Sequence, residues 1–214
     1  MAEYNLETDR ILLRELRFSD IGDIYVSIRD SEIGKWTLPP PFKFLKNPAG
    51  RFICRILRLV GKGLRLICVR VWHPKIAREY KFSIVSKNIG KVIGIVTLTI
   101  HKEQEVCARI GFWIGKEYWG KGLATEAVKL SLRFGFKILN LDSIDAWTFG
   151  RNAKSIRVLE KCGIKLENIV KGAYIKFKQK EDKLNYRILK AEFENLQKQD
   201  FSRESRNSDY NRRN

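Results

Sequence analysis

The sequence predicts an α+β fold of the α/β/α three-layer type, with helices on both sides of a central β-sheet. The order of elements is the first reason. Strand-like segments and one helix come first, and a helix, a strand, a second helix and two further strands follow. The chain length is the second reason, because 214 residues without internal repeats suit one substantial hydrophobic core. We expect one domain over residues 8–195, with small additions.

One helix stands among the strands of the first half. Residues 10–16 alternate between apolar and polar side chains as a strand does. Ser19 and Asp20 can cap a helix that reaches about Arg29, and three prolines at 39–41 then break the chain. The strands predicted after this break are residues 81–86, 92–100 and 106–114.

The pattern of the second half changes to a helical period. Apolar residues recur on one face from residue 123 to about residue 139, which predicts a long amphipathic helix. Residues 143–149 are typical of a strand, and residues 152–162 of a helix that Gly163 ends. The last two predicted strands are residues 164–177 and 182–189.

The chain is strongly basic, with a net charge of +18. Such a charge favours anionic partners, namely phosphorylated cofactors, RNA, acidic proteins or anionic membranes, and disfavours polyamines and aminoglycosides. Residues 43–78 form a basic insertion with ten Lys or Arg residues and no acidic one. Part of it, residues 51–60, could form a cationic amphipathic helix. The insertion either docks on RNA, a ribosome or a membrane, or has a merely solvated face. The polar, arginine-rich tail 198–214 is predicted to be disordered.

Metal and membrane signals are weak. The four cysteines are scattered without a CxxC pair, and the chain has two histidines, so we predict no metal site. Apolar runs are too short to span a bilayer, and the acidic start does not resemble a signal peptide. The sequence therefore predicts a cytoplasmic protein without a membrane span, and it leaves the oligomeric state open.

The strongest functional signal is the junction at residues 115–127. A strand ends there, Gly120 and Gly122 stand two residues apart, and a helix begins at once. Glycines let backbone N–H groups approach an anion, the helix N-terminus favours a phosphate, and Lys121 adds charge. A P-loop needs Ser or Thr where Gly122 stands, and a dinucleotide loop needs GxGxxG, so neither fits. A tight turn without a ligand is the alternative to a phosphate site.

Three segments stand in the order of the motifs of one enzyme superfamily. Residues 110–114 (Ile-Gly-Phe-Trp-Ile) look like its central strand, and residues 119–127 (Trp-Gly-Lys-Gly-Leu-Ala-Thr-Glu-Ala) look like its pyrophosphate loop. Residues 152–163 look like its later cofactor-contacting helix. The sequence thus resembles the GNAT acetyltransferase superfamily, from about Thr8 to Glu192. Within it, the chain is similar to the branch of ribosomal-protein N-terminal alanine acetyltransferases.

The resemblance implies a mixed sheet splayed between its fourth and fifth strands. Acetyl-CoA would lie in the gap as a cosubstrate, its pyrophosphate on the glycine loop, its pantetheine alongside Trp113 and Ile114, and Asn152 near the thioester. The cofactor-binding residues implied in this way are Trp113, Ile114, Trp119, Gly120, Lys121, Gly122, Leu123, Ala124, Asn152 and Ser155.

The candidate proton donor departs from the usual family pattern. Leu159 stands where many members have a tyrosine that protonates the departing thiolate. The resemblance to the branch suggests Ser155 as the substitute, with Asn152 as the second catalytic residue. Alternatively, Ser155 only satisfies backbone groups in the first turn of its helix.

The candidate general base departs as well. Arg109 stands where relatives often have a glutamate, directly before Ile-Gly. Glu103 and Glu105 lie nearby in the sequence and are candidates for the base. The alternative for each is a solvated carboxylate at a strand end.

The expected reaction is direct attack of a neutral amine on the thioester, with both reactants bound together. An α-amine, with a pKa near ~8, needs less help to deprotonate than a lysine side chain near ~10.4. We therefore predict acetylation of a protein N-terminus, with ribosomal proteins as candidates. The alternatives are a small-molecule amine or antibiotic acetyltransferase and a non-catalytic module that binds RNA or ribosomes.

Overall fold

A computed structural model describes residues 6–28, 31–36, 76–176 and 179–199. In these ranges seven strands form one mixed sheet in the order β1-β2-β3-β4-β5-β7-β6. All neighbouring strands are antiparallel except β4 and β5, which are parallel. The strands are β1 (Ile11–Glu15), β2 (Ile76–Ser86), β3 (Val92–His101), β4 (Cys107–Ile114), β5 (Ser143–Phe149), β6 (Lys165–Lys176) and β7 (Gln179–Leu189). The predicted α+β sheet is confirmed.

Helices cover the sheet, as predicted. The helices are α1 (Ile21–Ile28), α2 (Ser31–Trp36), α3 (Leu123–Arg133), α4 (Ala153–Lys161) and α5, residues 190–199. Helices α2 and α5 were not predicted, and α5 packs Phe193 on Phe136, with ring centroids 4.9 Å apart. Residues 198 and 199 of the predicted tail therefore lie in α5. Residues 200–214, and residues 43–75 of the basic insertion, lie outside the described residues.

The splayed gap follows from the register of β4 and β5. They pair only at Cys107–Ser143, Ala108–Ile144 and Arg109–Asp145. Beyond Arg109 the two strands separate, although β4 runs on to Ile114 and β5 to Phe149. Because the two strands are parallel, the loop after β4 and the helix after β5 begin at the same edge of the sheet. The fold thus brings the two cofactor motifs together across the gap.

The main core lies between the sheet and helices α3, α4 and α5. It contains the apolar side of β4, with Ala108 and Ile110, and the predicted apolar face of α3. A smaller cluster lies on the opposite face, where α1 packs Ile24 against Val92 and Trp113. We call this opposite side of the sheet the α1 face. Alternation along the strands puts odd-numbered residues of β4, β5 and β7 on it.

Asp20 fixes the first strands to the start of α1. It is only 2% exposed and accepts hydrogen bonds from Arg14 at 2.8 and 2.7 Å, from Ser83 at 2.7 Å and from the Arg17 N–H at 2.8 Å. Burial by itself would raise the pKa of Asp20, but the hydrogen bond from Arg14 and the other donors outweigh it and lower the pKa. The carboxylate thus joins β1, β2 and the turn before α1.

Three predicted boundaries are wrong. Strand β7 begins at Gln179 rather than at residue 182, because its antiparallel pairing with β6 extends to Lys176–Gln179. The predicted helix 123–139 is α-helical only to Arg133, and residues 134–138 form a π-helical turn in which the Leu139 N–H bonds the Phe134 carbonyl at 3.1 Å. The wider turn shifts the phase of the side chains, so Ile138 is 39% exposed instead of buried. Strand β2 begins at Ile76 rather than at residue 81, because antiparallel pairing with β3 extends it into the end of the basic insertion.

Candidate active site

The loop between β4 and α3 has the geometry of an anion site. Gly120 and Gly122 have φ values of +75° and +79°, in the left-handed region that favours glycine. Gly122 is the N-cap of α3, and no side chain caps the helix there. The first helical backbone bond runs from the Glu126 N–H to the Gly122 carbonyl, at 3.1 Å. The N–H groups of residues 123–125 therefore have no partner within the helix, which leaves them available to a phosphate.

Arg10, the residue directly before β1, braces this loop, which means that it holds the loop in place by hydrogen bonds. This contact was not predicted from the sequence. Its guanidinium donates to the Lys121 carbonyl at 3.0 Å and to the Glu126 carboxylate at 2.8 Å. Thr8 donates to the other oxygen of the same carboxylate at 2.7 Å. Glu126 would repel a phosphate at the helix N-terminus, and the paired guanidinium offsets that charge. The sequence signal for Arg10 was its place in Thr8-Asp9-Arg10, where the resemblance to the superfamily begins.

Trp119 connects the loop to both sides of the gap. Its indole N–H donates to the carbonyl of Ile114, the last β4 residue, at 2.8 Å. The Nζ of Lys154, in the first turn of α4, lies 3.8 Å from the centroid of the Trp119 ring. The Lys121 Nζ lies 5.8 Å from the Tyr118 ring centroid. Two lysines thus stand near the loop, where an anionic ligand would meet them.

The predicted catalytic pair forms a direct contact. Asn152 is the N-cap of α4, is 6% exposed, and its side-chain oxygen accepts the Ser155 N–H at 3.2 Å. Because that oxygen must face the N–H, the amide nitrogen of Asn152 is the atom that donates to the Ser155 hydroxyl oxygen, at 2.9 Å. The Ser155 hydroxyl therefore acts as an acceptor toward Asn152. The proton of the Ser155 hydroxyl can therefore point away from Asn152. No group in the part of the chain that the structure describes accepts this proton.

The remaining sequence candidates lie at different distances from the gap. Leu159 is 1% exposed and packs in the main core. Arg109 is exposed and lies at the point where β4 and β5 separate. Glu103 and Glu105 lie in the exposed turn 102–106 between β3 and β4. Glu105 is four residues before Arg109, roughly 13 Å along an extended chain, so this turn lies on the joined side of the strands, away from the glycine loop.

The cofactor residues expected on β4 point to opposite faces. Ile114 is 6% exposed and packs in the main core, which also contains Leu123 of α3. Trp113 packs in the small cluster of the α1 face. Ala124 is partly buried against the core, whereas Gly120, Lys121 and Gly122 are exposed. The exposed loop residues, the end of β4 and the start of α4 therefore line one continuous edge of the gap.

The β5 side of the gap carries an aromatic cluster and an ion-pair network. Trp147 stacks on Tyr174 with ring centroids 5.5 Å apart, and Phe149 meets both rings edge to face. Asp145 lies two residues before Trp147 on β5. Arg187 donates to both oxygens of Asp145, at 2.7 and 3.1 Å. The pairing with Asp145 raises the pKa of Arg187. The sequence did not point to these residues, because their partners lie far apart in the chain.

The described ranges contain neither a metal-binding cluster nor a membrane-spanning helix. No group of three His, Cys, Asp or Glu side chains is placed to hold a metal ion in these ranges. No helix in them is long and apolar enough to cross a membrane. The cytoplasmic location remains a prediction.

Comparison with known proteins identifies the family. The Acetyltransferase (GNAT) domain family matches residues 10–165, so this chain belongs to the GNAT acetyltransferases. Members of this family transfer an acetyl group from acetyl-CoA to an amine, and the chain is an N-acetyltransferase of this kind.

Individual relatives agree with this assignment. The chain is 28% identical over 167 residues to the uncharacterized N-acetyltransferase p20 of Bacillus licheniformis, a match that covers 78% of this chain and 85% of p20. Its fold is similar to that of a ribosomal-protein-S5-alanine acetyltransferase from Vibrio fischeri, with a TM-score of 0.64 and 24% identity over 86% of this chain and 95% of that one. It is equally similar to a spermidine N-acetyltransferase from Vibrio cholerae, solved with CoA and spermine, with a TM-score of 0.66 and 19% identity over 87% and 99% of the two chains. These two structures support the fold, and they name different acceptors.

Proposed function

We propose that this protein acetylates the N-terminal α-amine of a protein, with ribosomal proteins as the first candidates, by direct attack of the amine on acetyl-CoA in a ternary complex. The proposal rests on the charges of the side chains where β4 and β5 separate. The side chain there is the cation Arg109, and the adjacent carboxylate of Asp145 is held by Arg187. A site without an available strong base suits an α-amine, whose pKa near ~8 leaves a useful neutral fraction at pH 7.

The residues present fit acetyl-CoA. A Cβ at Gly122, the uncapped start of α3, would stand 3.3 Å from the Arg10 guanidinium, so glycine leaves Arg10 and the loop undisturbed. The amides of residues 123–125 would hold the pyrophosphate, with Lys121 and Lys154 nearby as cations. The edge of β4 that faces the gap would pair with the amides of the pantetheine arm, as in strand addition. When bound, acetyl-CoA supplies an activated acetyl group as a thioester.

Ser155 is the proposed proton donor for the departing thiolate. The hydrogen bond from Asn152 fixes the Ser155 oxygen as an acceptor, which directs the hydroxyl proton elsewhere. It also polarises the hydroxyl, because a donor on the oxygen increases the acidity of its proton. Leu159 offers no such group, since its side chain is apolar and buried in the core. Asn152 is therefore the positioning residue and Ser155 the catalytic residue of the proposal.

A polyamine acceptor is the alternative that one of the fold relatives suggests. Polyamine binding needs converging carboxylates that are free to accept ammonium groups. On the gap side of the α1 face, Asp145 and Glu167 are both engaged by Arg187, the latter at 2.8 Å. This arrangement and the net charge of +18 favour a protein N-terminus over a polycation. The basic insertion, residues 43–78, and the tail 198–214 would supply further cations for contact with a ribosome or RNA.

A substrate panel tests the proposal. Release of the CoA thiol is measured with N-terminal peptides, with the same peptides blocked at the α-amine, and with spermidine. We expect turnover of the free peptides and none of the blocked ones, even when these contain lysine. Faster turnover of spermidine would reject the proposed acceptor. Binding of acetyl-CoA without turnover of any amine would instead favour a non-catalytic module.

A further inference from the structure

Two positive charges stand on the α1 face beside the gap. Arg109 is the last β4 residue that pairs with β5. Lys183, on β7, pairs with Phe149 near the end of β5, and its Nζ lies 5.8 Å from the Trp147 ring centroid. Burial, and then the nearby positive charge of Arg109, lower the pKa of Lys183. Trp147 lies two residues along β5 from Asp145, the pairing partner of Arg109, and on the same face, so Arg109 and the Lys183 Nζ flank the same stretch of β5.

The carboxylates of this face do not neutralise the pair. Arg187 holds both Asp145 and Glu167. Glu79 pairs with Lys81 and Glu181 with Arg151, and the Asp23 carboxylate of α1 accepts the Val92 N–H at 3.0 Å, at the start of β3. The Cys107 thiol adds no charge near neutral pH, because burial raises its pKa. Among the described residues, neither Arg109 nor Lys183 has a carboxylate partner.

Such a pair is suited to a carboxylate brought by the acceptor. The Arg109 guanidinium can donate two parallel hydrogen bonds to a carboxylate, and Lys183 adds a second positive charge. Trp147, Phe149 and Tyr174 form an apolar wall beside them, which strengthens charge pairing by excluding water. A lysine or polyamine chain at the same place would be repelled.

We propose that Arg109 and Lys183 form a carboxylate subsite, which selects amine acceptors with an acidic group close to the reacting amine. The subsite rests on the proposed function, since it assumes that the amine enters from the α1 face. The carboxylate is that of Asp or Glu at the second or third residue of a peptide, or the α-carboxylate of a free amino acid. The overall positive charge of the chain fits an acidic protein acceptor.

Short C-terminally amidated peptides that differ only at the second residue test the subsite. Their sequences begin Ala-Glu, Ala-Gln or Ala-Lys, and free glutamate is assayed beside them. We expect kcat/KM to be about tenfold higher for Ala-Glu than for Ala-Lys, since two partly exposed charge pairs contribute about this much. The Arg109→Gln and Lys183→Gln variants should each reduce the ratio to about threefold, because each loses one pair. The double variant Arg109→Glu with Lys183→Glu should prefer Ala-Lys.

The matched control is Arg133→Gln, which removes an exposed cation at the end of α3 on the other side of the sheet. It should keep the full preference for Ala-Glu. Acetyl-CoA affinity, measured by calorimetry for each variant, shows that the fold is intact. An Arg109 and Lys183 double variant that binds acetyl-CoA normally and still prefers Ala-Glu would overturn the subsite.

The outcomes separate the subsite from the proposed function. Equal kcat/KM for the three peptides would overturn the subsite and leave acetylation of protein N-termini standing. Turnover of free glutamate without turnover of any amidated peptide would support the subsite and overturn the protein acceptor. No turnover of any amine would overturn both.

Discussion

Replacement of Gly122 by alanine should separate cofactor binding from folding. Gly122 has a φ of +79°, and alanine in the left-handed region costs about 1–2 kcal/mol. Its Cβ would stand 3.3 Å from Arg10 Nη2, the mobile end of a long side chain, so no backbone clash adds to that cost. For a chain of this size the expected fall in Tm is about 2–8 °C.

The larger effect should be on acetyl-CoA. The added Cβ would stand 3.3 Å from the Arg10 guanidinium, which donates to the Lys121 carbonyl and to Glu126, so the loop must shift and its phosphate contacts weaken. Loss of one hydrogen bond to a charged phosphate costs about 1.5–3 kcal/mol. We therefore expect the Kd for acetyl-CoA to rise about 10–100-fold. Isothermal titration calorimetry measures it directly.

Gly90→Ala is the matched control. Gly90 has a φ of +65° in the turn between β2 and β3, and a Cβ added there would meet nothing within 4 Å. The variant should lose a similar amount of stability and keep its affinity for acetyl-CoA. An unchanged Kd in Gly122→Ala, or an equal loss of affinity in Gly90→Ala, would refute the assignment of the glycine loop as the phosphate site.

Three further predictions address the proton donor, the brace and the first strands. Ser155→Ala should lower kcat about 100-fold, the low end of general acid catalysis, with little change in the Kd for acetyl-CoA, whereas Ser155→Thr should retain most activity; an unchanged kcat in steady-state kinetics would contradict this role. Arg10→Gln should raise the KM for acetyl-CoA roughly tenfold at an unchanged kcat, because Glu126 then repels the phosphates, and the added change Glu126→Gln should restore it; a loss of kcat alone would argue against the brace. Asp20→Asn should destabilise the protein by about 3–5 kcal/mol at pH 7 in chemical denaturation, because it leaves Arg14 without its buried partner. Since the pKa of Asp20 is lowered by folding, wild-type protein keeps this stability above about pH 4 and loses it as the pH falls further, and the variant should lack that part of the acid dependence.

Local patterns made much of the site predictable. The glycine loop and the start of α4 are encoded within a few residues, because phosphate binding at a helix N-terminus and N-capping need only neighbours in sequence. Asn152 and Ser155 are three residues apart, so their contact follows from helix geometry once the cap is recognised. The strands of the sheet were equally visible in their alternation of apolar and polar residues, which matches the alternation of burial along β3.

Contacts between distant segments were not predictable from one sequence. Arg10 and Glu126 are 116 residues apart, and Asp145 and Arg187 are 42 apart. Such pairs depend on strand order and register, which periodicity does not specify. The π-helical turn after Arg133 was missed for a similar reason: its buried face, with Phe136 stacked on Phe193 of α5, is decided by packing rather than by the helical period.

The nitrogen that receives the acetyl group decides whether this enzyme acts on protein N-termini. The protein is incubated with acetyl-CoA and a peptide that carries both a free N-terminus and an internal lysine, and the products are analysed by tandem mass spectrometry while the CoA thiol is titrated. We expect one acetyl group on the α-nitrogen for each thiol released. Thiol release without an acetylated peptide, or an acetyl group on the lysine side chain instead, would contradict it.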